Sequence, residues 1–189
     1  MIKGLPTLQT ERLVIRPFEL SDAKEVQRLA GDREIAATTI NIPHPYEDGM
    51  AEQWIATHAA RFDKGEAAEF AVCDREKGNL VGAIALLLKL DYERAEIGYW
   101  VGKPYWGVGY CTEAAREIIR YGFEQLGLNR IFGEFMAGNV ASGRVMEKVG
   151  MKYEGRLRQH MKKWGEFQDM VVYSILKSEY EALREGHRR

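Results

Sequence analysis

The chain has little cysteine, little proline and no long apolar run. Its two cysteines, Cys73 and Cys111, form no C-x-x-C pair and belong to no Cys/His cluster. A disulfide framework and a structural zinc site are therefore excluded, and no metal is expected. The longest apolar stretch, 80–88, is far shorter than the ~18 residues a membrane span needs. There is no excess of either charge: 27 Lys and Arg stand against 28 Asp and Glu, so neither nucleic acid nor a membrane is an expected partner. Met1 to Arg12 lacks the apolar segment of a secretory leader, which makes a cytoplasmic protein the expectation. The closing Gly186-His187-Arg188-Arg189 reads as a frayed basic end.

What is present is ordinary globular material, 46% hydrophobic and 29% charged over 189 residues. A chain of this size buries about 70% of its unfolded surface. One domain is expected over 1–189, with a core from about 8 to 178 and a short C-terminal tail.

Periodicity gives the elements. Residues 10–18 alternate as a half-buried strand, and Ser21 and Asp22 start a helix whose stripe is Ala23, Val26, Leu29 and Ala30. The 32–49 segment, with prolines at 43 and 45, reads as loop or broken helix. A helix is expected over 50–63, strands over 69–74, 79–90 and 94–101, and a helix over 112–126 stopped by Gly127. A strand at 130–137, a helix at 140–149, strands at 152–159 and 167–176 and a short helix at 177–184 complete the chain. The order β-α-α-β-β-β-α-β-α-β-β places three strands in a row without helices between them. That favours a mixed α+β sheet, mostly antiparallel, over a doubly wound one.

The most informative stretch is Trp106-Gly107-Val108-Gly109-Tyr110-Cys111-Thr112, between a strand and an amphipathic helix. Free N–H groups and the helix dipole there favour an anion, and the two glycines let a phosphate approach. A dinucleotide fingerprint would need a third glycine where Thr112 stands, and a P-loop would need G-K-[ST]. Two readings stay open on the loop alone: a diphosphate held by main-chain amides, or a glycine turn that only packs helix on strand.

The strand, glycine loop and helix resemble the acetyl-CoA loop of the GNAT superfamily of N-acetyltransferases, and more closely its ribosomal-protein N-terminal acetyltransferase branch. Five stretches carry the resemblance in order: Thr10 to Arg16; Pro43-His44-Pro45-Tyr46; Glu96-Ile97-Gly98-Tyr99-Trp100 followed by Trp106 to Tyr110; Asn139 to Gly150; and Asp169 to Ile175. They span Thr10 to about Leu176. Pro104 departs from the broad pattern, which has Gln or Arg there.

The resemblance implies direct transfer of acetyl from acetyl-CoA, with no metal, to a primary amine, first of all the N-terminal α-amine of a protein. A small amine such as an antibiotic or polyamine is the alternative acceptor, and a non-catalytic acyl-CoA-binding module the alternative class. A homodimer stays open. Glu96 is the candidate base, pointing with Gly98 and Trp100 to one side of its strand; a solvated strand glutamate or a partner for Arg94 is the competing reading. Ser142 shares a helix face with Val145, Met146 and Val149 and is the candidate donor to the departing thiolate. A backbone-bonded helix serine is its bland alternative.

Asn139 is a good N-cap, and by resemblance it also holds the pantetheine arm. Arg144 is expected at the nucleotide end, and Trp100, Val101 and Gly102 are expected to offer backbone groups to pantetheine. Gly107, Val108, Gly109, Tyr110, Cys111 and Thr112 form the diphosphate loop. Cys111 at a helix start invites a lowered thiol pKa, although an acetyl-cysteine step is less economical than direct transfer. Tyr46, Trp54, Trp164 and Phe167 are candidate walls of an acceptor cleft, and His44 a candidate lining residue. His58 is assigned to a helix face, and His160 and His187 to the surface.

Overall fold

A computed structural model describes residues 4–186. His187 and the rest of the basic end lie outside them. The order of elements is β1 (Leu8–Gln9), β2 (Leu13–Pro17), α1 (Ala23–Ala30), α2 (Arg33–Thr38), α3 (Met50–Ala56), α4 (His58–Asp63), β3 (Ala67–Asp74), β4 (Leu80–Lys89), β5 (Arg94–Val101), α5 (Tyr110–Glu124), β6 (Arg130–Met136), α6 (Val140–Lys148), β7 (Lys152–Lys163), β8 (Glu166–Leu176) and α7 (Lys177–Gly186).

One expectation needs correction here and one is made specific. Of the two readings of the 32–49 segment, the broken helix holds: α2 starts it, because Asp32 caps it by accepting the Glu34 N–H at 2.8 Å, and loop follows. The single helix expected over 50–63 is two, broken at Thr57, whose hydroxyl bonds back to the Trp54 carbonyl.

One eight-stranded sheet runs β1-β2-β3-β4-β5-β6-β8-β7. Every pairing is antiparallel except β5 with β6, which are parallel. β3 lies near the middle and is buried along all eight residues. Its even-numbered side chains join the core under α5, where Phe70 meets Tyr121 edge-on at 5.7 Å. Its odd-numbered Ala71 and Cys73 join a smaller core under α1 and α3. The sheet is thus sandwiched between helices, as alternation at period two requires of a strand covered on both faces.

The feature that positions the site is a split. β5 and β6 pair only over Arg94–Glu96 with Arg130–Phe132. Beyond Glu96, β5 stays with β4 as far as Val101, while β6 stays with β8 as far as Met136, so the two strands diverge. Gly133 allows this: a side chain there would meet the Met146 tip of α6 at 2.5 Å and Ile97 at 3.1 Å. Met146 wedges over the sheet where it begins to open.

Candidate active site

A cleft of about 1190 Å³ fills the split and reaches both faces of the sheet. It collects residues from α1, α2, α3, β3, β4, β5, α5, β6 and α6. Glu96, Trp100, Val101, Gly107, Gly109, Tyr110, Cys111, Thr112, Asn139, Ser142 and Arg144 all line it; Gly102 and Val108 do not.

On one side is the start of α5. Gly107 and Gly109 have φ of +75° and +92°, the left-handed region that favours glycine. No side chain caps the helix, and Glu113 is the first residue to bond backwards, to the Gly109 carbonyl at 3.1 Å. The N–H groups of Tyr110, Cys111 and Thr112 therefore have no intrahelical partner and carry the positive end of the dipole.

Sequence reasoning missed what braces this loop. Glu113 accepts from the Thr10 hydroxyl at 2.6 Å and from the Arg12 N–H at 2.8 Å and Nε at 2.7 Å. Arg12 also donates to the Val108 carbonyl at 3.0 Å and lies over the Tyr110 ring, whose hydroxyl bonds Asp74 at 2.6 Å. The Thr10-Glu11-Arg12 stretch was legible as part of a resemblance, but its contact with a residue 101 positions away was not.

α6 closes the same side. Asn139 caps it by accepting the Ser142 N–H at 3.3 Å, while its amide nitrogen donates to the Thr38 carbonyl at 3.1 Å. Both ends of its side chain are thus engaged within the protein. Arg144 and Lys148, one helical turn apart, line the cleft without an ion-pair partner among the described residues. Lys148 was not singled out from the sequence; its i+4 spacing from Arg144 was the available signal.

Ser142 is 9% exposed, and its hydroxyl lies 2.9 Å from that of Tyr99, which also bonds the Ser142 carbonyl at 3.1 Å. Burial pushes the Tyr99 hydroxyl well above the ordinary tyrosine range. Burial likewise pushes the Cys111 thiol up to about 12, against the lowered value expected at a helix start. A protonated thiol is a poor nucleophile, so direct transfer is the better reading of this site.

Gly102 also differs from expectation. Its N–H donates to the Val81 carbonyl and its carbonyl accepts from Tyr105, both at 2.9 Å. A side chain there would meet Leu29 at 2.7 Å. Gly102 serves sheet and helix packing rather than offering its amide to the cleft.

The opposite face carries carboxylates. Glu96 has a pKa raised by burial and by the neighbouring charge of Glu134. Glu134 projects from the same face of the sheet, since Ile131 and Phe135 beside it join the core under α5. Glu69, a third carboxylate, lines the cleft farther along. Phe18, Tyr46 and Trp54 form apolar walls. Trp164 and Phe167 do not reach the cleft: Phe167 is 62% exposed, and Trp164 stacks with Arg33 and lies near His44. His58 lies on the inner face of its helix, buried beside Trp54 at 4.4 Å.

The fit to an acetyl-CoA-sized ligand rests on these features. Uncapped amides and two unpaired cations suit phosphate. The volume exceeds the usual ~300–1,000 Å³ of a small-ligand pocket. A side chain at Gly98 would meet nothing within 4 Å, so the floor beside the split is open. No helix among the described residues is long and apolar enough to cross a membrane.

Comparison with known proteins agrees with this geometry. A family model described as an acetyltransferase (GNAT) domain matches residues 12–152. The uncharacterized N-acetyltransferase p20 of Bacillus licheniformis is 33% identical over 178 residues, 93% of this chain and 99% of that protein. Two solved structures share the fold at lower identity. A ribosomal-protein-S5-alanine acetyltransferase from Vibrio fischeri has a TM-score of 0.81 at 18% identity, covering 93% of this chain and 98% of that one. A spermidine N-acetyltransferase from Vibrio cholerae, solved with CoA and spermine, has a TM-score of 0.78 at 22% identity, covering 91% and 99%.

Proposed function

The chain belongs to the GNAT acetyltransferase family, and from that premise we propose that it acetylates the α-amine at the start of a peptide or protein, with Glu96 as base and Ser142 as hydrogen-bond donor to the departing sulfur. That it is an acetyl-CoA-dependent N-acetyltransferase follows from the family; the acceptor and the residue roles are the proposal. The observation that carries it is the split itself. One cleft passes through the sheet, with Glu96 on one face and the Ser142–Tyr99 pair on the other.

Acetyl-CoA supplies an activated thioester. The N–H groups of Tyr110, Cys111 and Thr112, with Arg144 and Lys148, hold its phosphates, and pantetheine lies along the edge of β5 that β6 leaves unpaired, beside Val101, whose carbonyl already accepts from Trp106 Nε1 at 2.6 Å. The amine nitrogen attacks the carbonyl carbon, so a C–N bond forms as the C–S bond breaks. The proton that the nitrogen loses goes to Glu96, directly or through one water. The electron pair of the broken bond goes to sulfur, where the Ser142 hydroxyl stabilises it by donating a hydrogen bond. With the Gly102 N–H bonded to Val81, the charge that develops on the carbonyl oxygen is assigned to the Val101 N–H, an effect worth ~2.7–4 kcal/mol in other acyl-transfer sites.

An α-amine asks least of such a base: its pKa of about 7.7–8.0 leaves a substantial neutral fraction near pH 7, whereas a lysine amine near 10.4 is almost wholly protonated. A small amine is the second reading, favoured by the three carboxylates on the acceptor face.

The test mixes protein, acetyl-CoA and a panel of peptides and small amines and follows thiol release. Turnover with a peptide α-amine is expected. Calorimetric binding of acetyl-CoA with no thiol released by any amine would overturn the enzymatic reading and leave the acyl-CoA-binding module. Glu96→Gln and Ser142→Ala are expected to bind acetyl-CoA and turn over slowly; unchanged turnover in both removes the assignment of roles.

A further inference from the structure

Glu69 is an anomaly for a buried carboxylate. It is 5% exposed, yet only one of its oxygens is satisfied: Oε1 accepts from Arg61 Nη1 at 2.5 Å, and Oε2 has no hydrogen-bond partner among the described residues. His58 Nε2 is the nearest candidate at 3.7 Å, too far for a bond, and both nitrogens of that ring are likewise unpartnered. Arg61 supplies the counter-charge at Oε1, whereas burial lowers the His58 pKa to about 4, so that ring stays neutral and adds none at Oε2. A buried acceptor left without a donor costs about 1–3 kcal/mol, and such groups call for an explanation.

The register of the sheet offers one. Glu69 pairs with Ala85, and Ala85 with Gly98. These three lie in one row on the acceptor face, and two of them have almost no side chain. The row is a shallow trench from Glu69 to the point where the sheet splits, spanning two strand spacings, or about 10 Å. Phe18 and Trp54 line the cleft at its far end, packed edge-on against each other at 5.0 Å and both against the His58 ring. Aromatic faces beside a carboxylate suit a cation. Arg61 balances Glu69, and Glu96 and Glu134 leave this face with an excess of carboxylates, whereas the cations that line the cleft, Arg144 and Lys148, come from α6 on the other.

We propose that Glu69, walled by Phe18 and Trp54, is a second recognition site of the acceptor half, taking a cationic nitrogen that the acceptor carries about 10 Å from the amine that reacts. The inference rests on the N-acetyltransferase reading and names the acceptor class within it: an amine with a second positive charge. Two sources share that chemistry, a Lys side chain near the start of a peptide and a linear diamine.

The experiment compares matched acceptors with the intact enzyme. Tetrapeptides with Lys at the second or third position are paired with the same peptides carrying norleucine, and 1,7-diaminoheptane is paired with heptylamine. A kcat/KM at least tenfold higher for the charged member of either pair is expected, and which pair shows it identifies the source. Glu69→Gln is expected to reduce that ratio below about threefold, and Phe18→Leu to reduce it less; acetyl-CoA binding heat and a melting curve check that each variant is folded. Equal kcat/KM across all pairs in the wild type overturns this site while leaving the enzyme reading standing, and so does a ratio unmoved in a folded Glu69→Gln. Binding of acetyl-CoA without turnover of any acceptor overturns the enzyme reading instead.

Discussion

The two sides of the cleft offer different means of recognition. On the side proposed for the coenzyme it is mainly main chain: three uncapped N–H groups at the start of α5, aimed by two left-handed glycines and held by an ion-paired brace of Thr10, Arg12 and Glu113. On the side proposed for the acceptor it is side chains, among them Glu69, buried with one oxygen unmatched beside the equally unmatched His58 ring. Backbone recognition depends on φ and ψ, tolerates many neighbouring side chains and leaves a short glycine pattern in the sequence. Side-chain recognition depends on which residues three strands bring into register, and it leaves no local pattern.

That contrast can be broken by substitutions that should act on one side only. The largest effect is expected for Glu96→Gln, which should lower kcat by about 10²–10⁴-fold while the acetyl-CoA Kd stays put; isothermal titration beside turnover separates the two. Gly109→Val forces a β-branched residue to φ of +92°. Strain of ~1–3 kcal/mol predicts acetyl-CoA binding weaker by about ten- to a hundredfold, with kcat at saturating coenzyme little changed. Arg12→Gln, which loosens the brace without touching the loop's own residues, should raise KM for acetyl-CoA by about three- to tenfold and leave kcat alone.

The smallest effect concerns pH. As the proposed base Glu96 works only when ionised, and its raised pKa predicts an acidic limb of kcat/KM higher than for an ordinary carboxylate. Removing the like charge with Glu134→Gln lowers the Glu96 pKa, so the limb should move toward lower pH. A limb that stays in place would show that the two carboxylates do not share one field, and would weaken the view of the acceptor face as a single anionic surface.

Much of the fold was legible because its signals are local. The alternation of 94–101 and the opposite facing of Glu96 and Tyr99 follow from a period of two, and Gly127 does end up left-handed after α5. The mixed sheet followed from three successive strands. What failed also has local causes. The single helix expected over 50–63 passed over the break at Thr57, where a hydroxyl bonds back to the Trp54 carbonyl. In the site, Tyr99 went unnoticed because its partner Ser142 is 43 residues away, and the low thiol pKa expected for Cys111 ignored burial that only packing creates.

The order of strands and helices was set by the chain's own periodicity and the glycine turn into α5 by a local pattern, while the family was marked by five short motifs, each made of residues within a few positions of one another. Only the folded sheet decided where β5 leaves β6, that Glu69 would share a row with Gly98, and that a carboxylate oxygen would be buried without a donor. Register, burial and unmet hydrogen bonds belong to pairs of distant residues. They arise when strands pair, and no single stretch of sequence contains them.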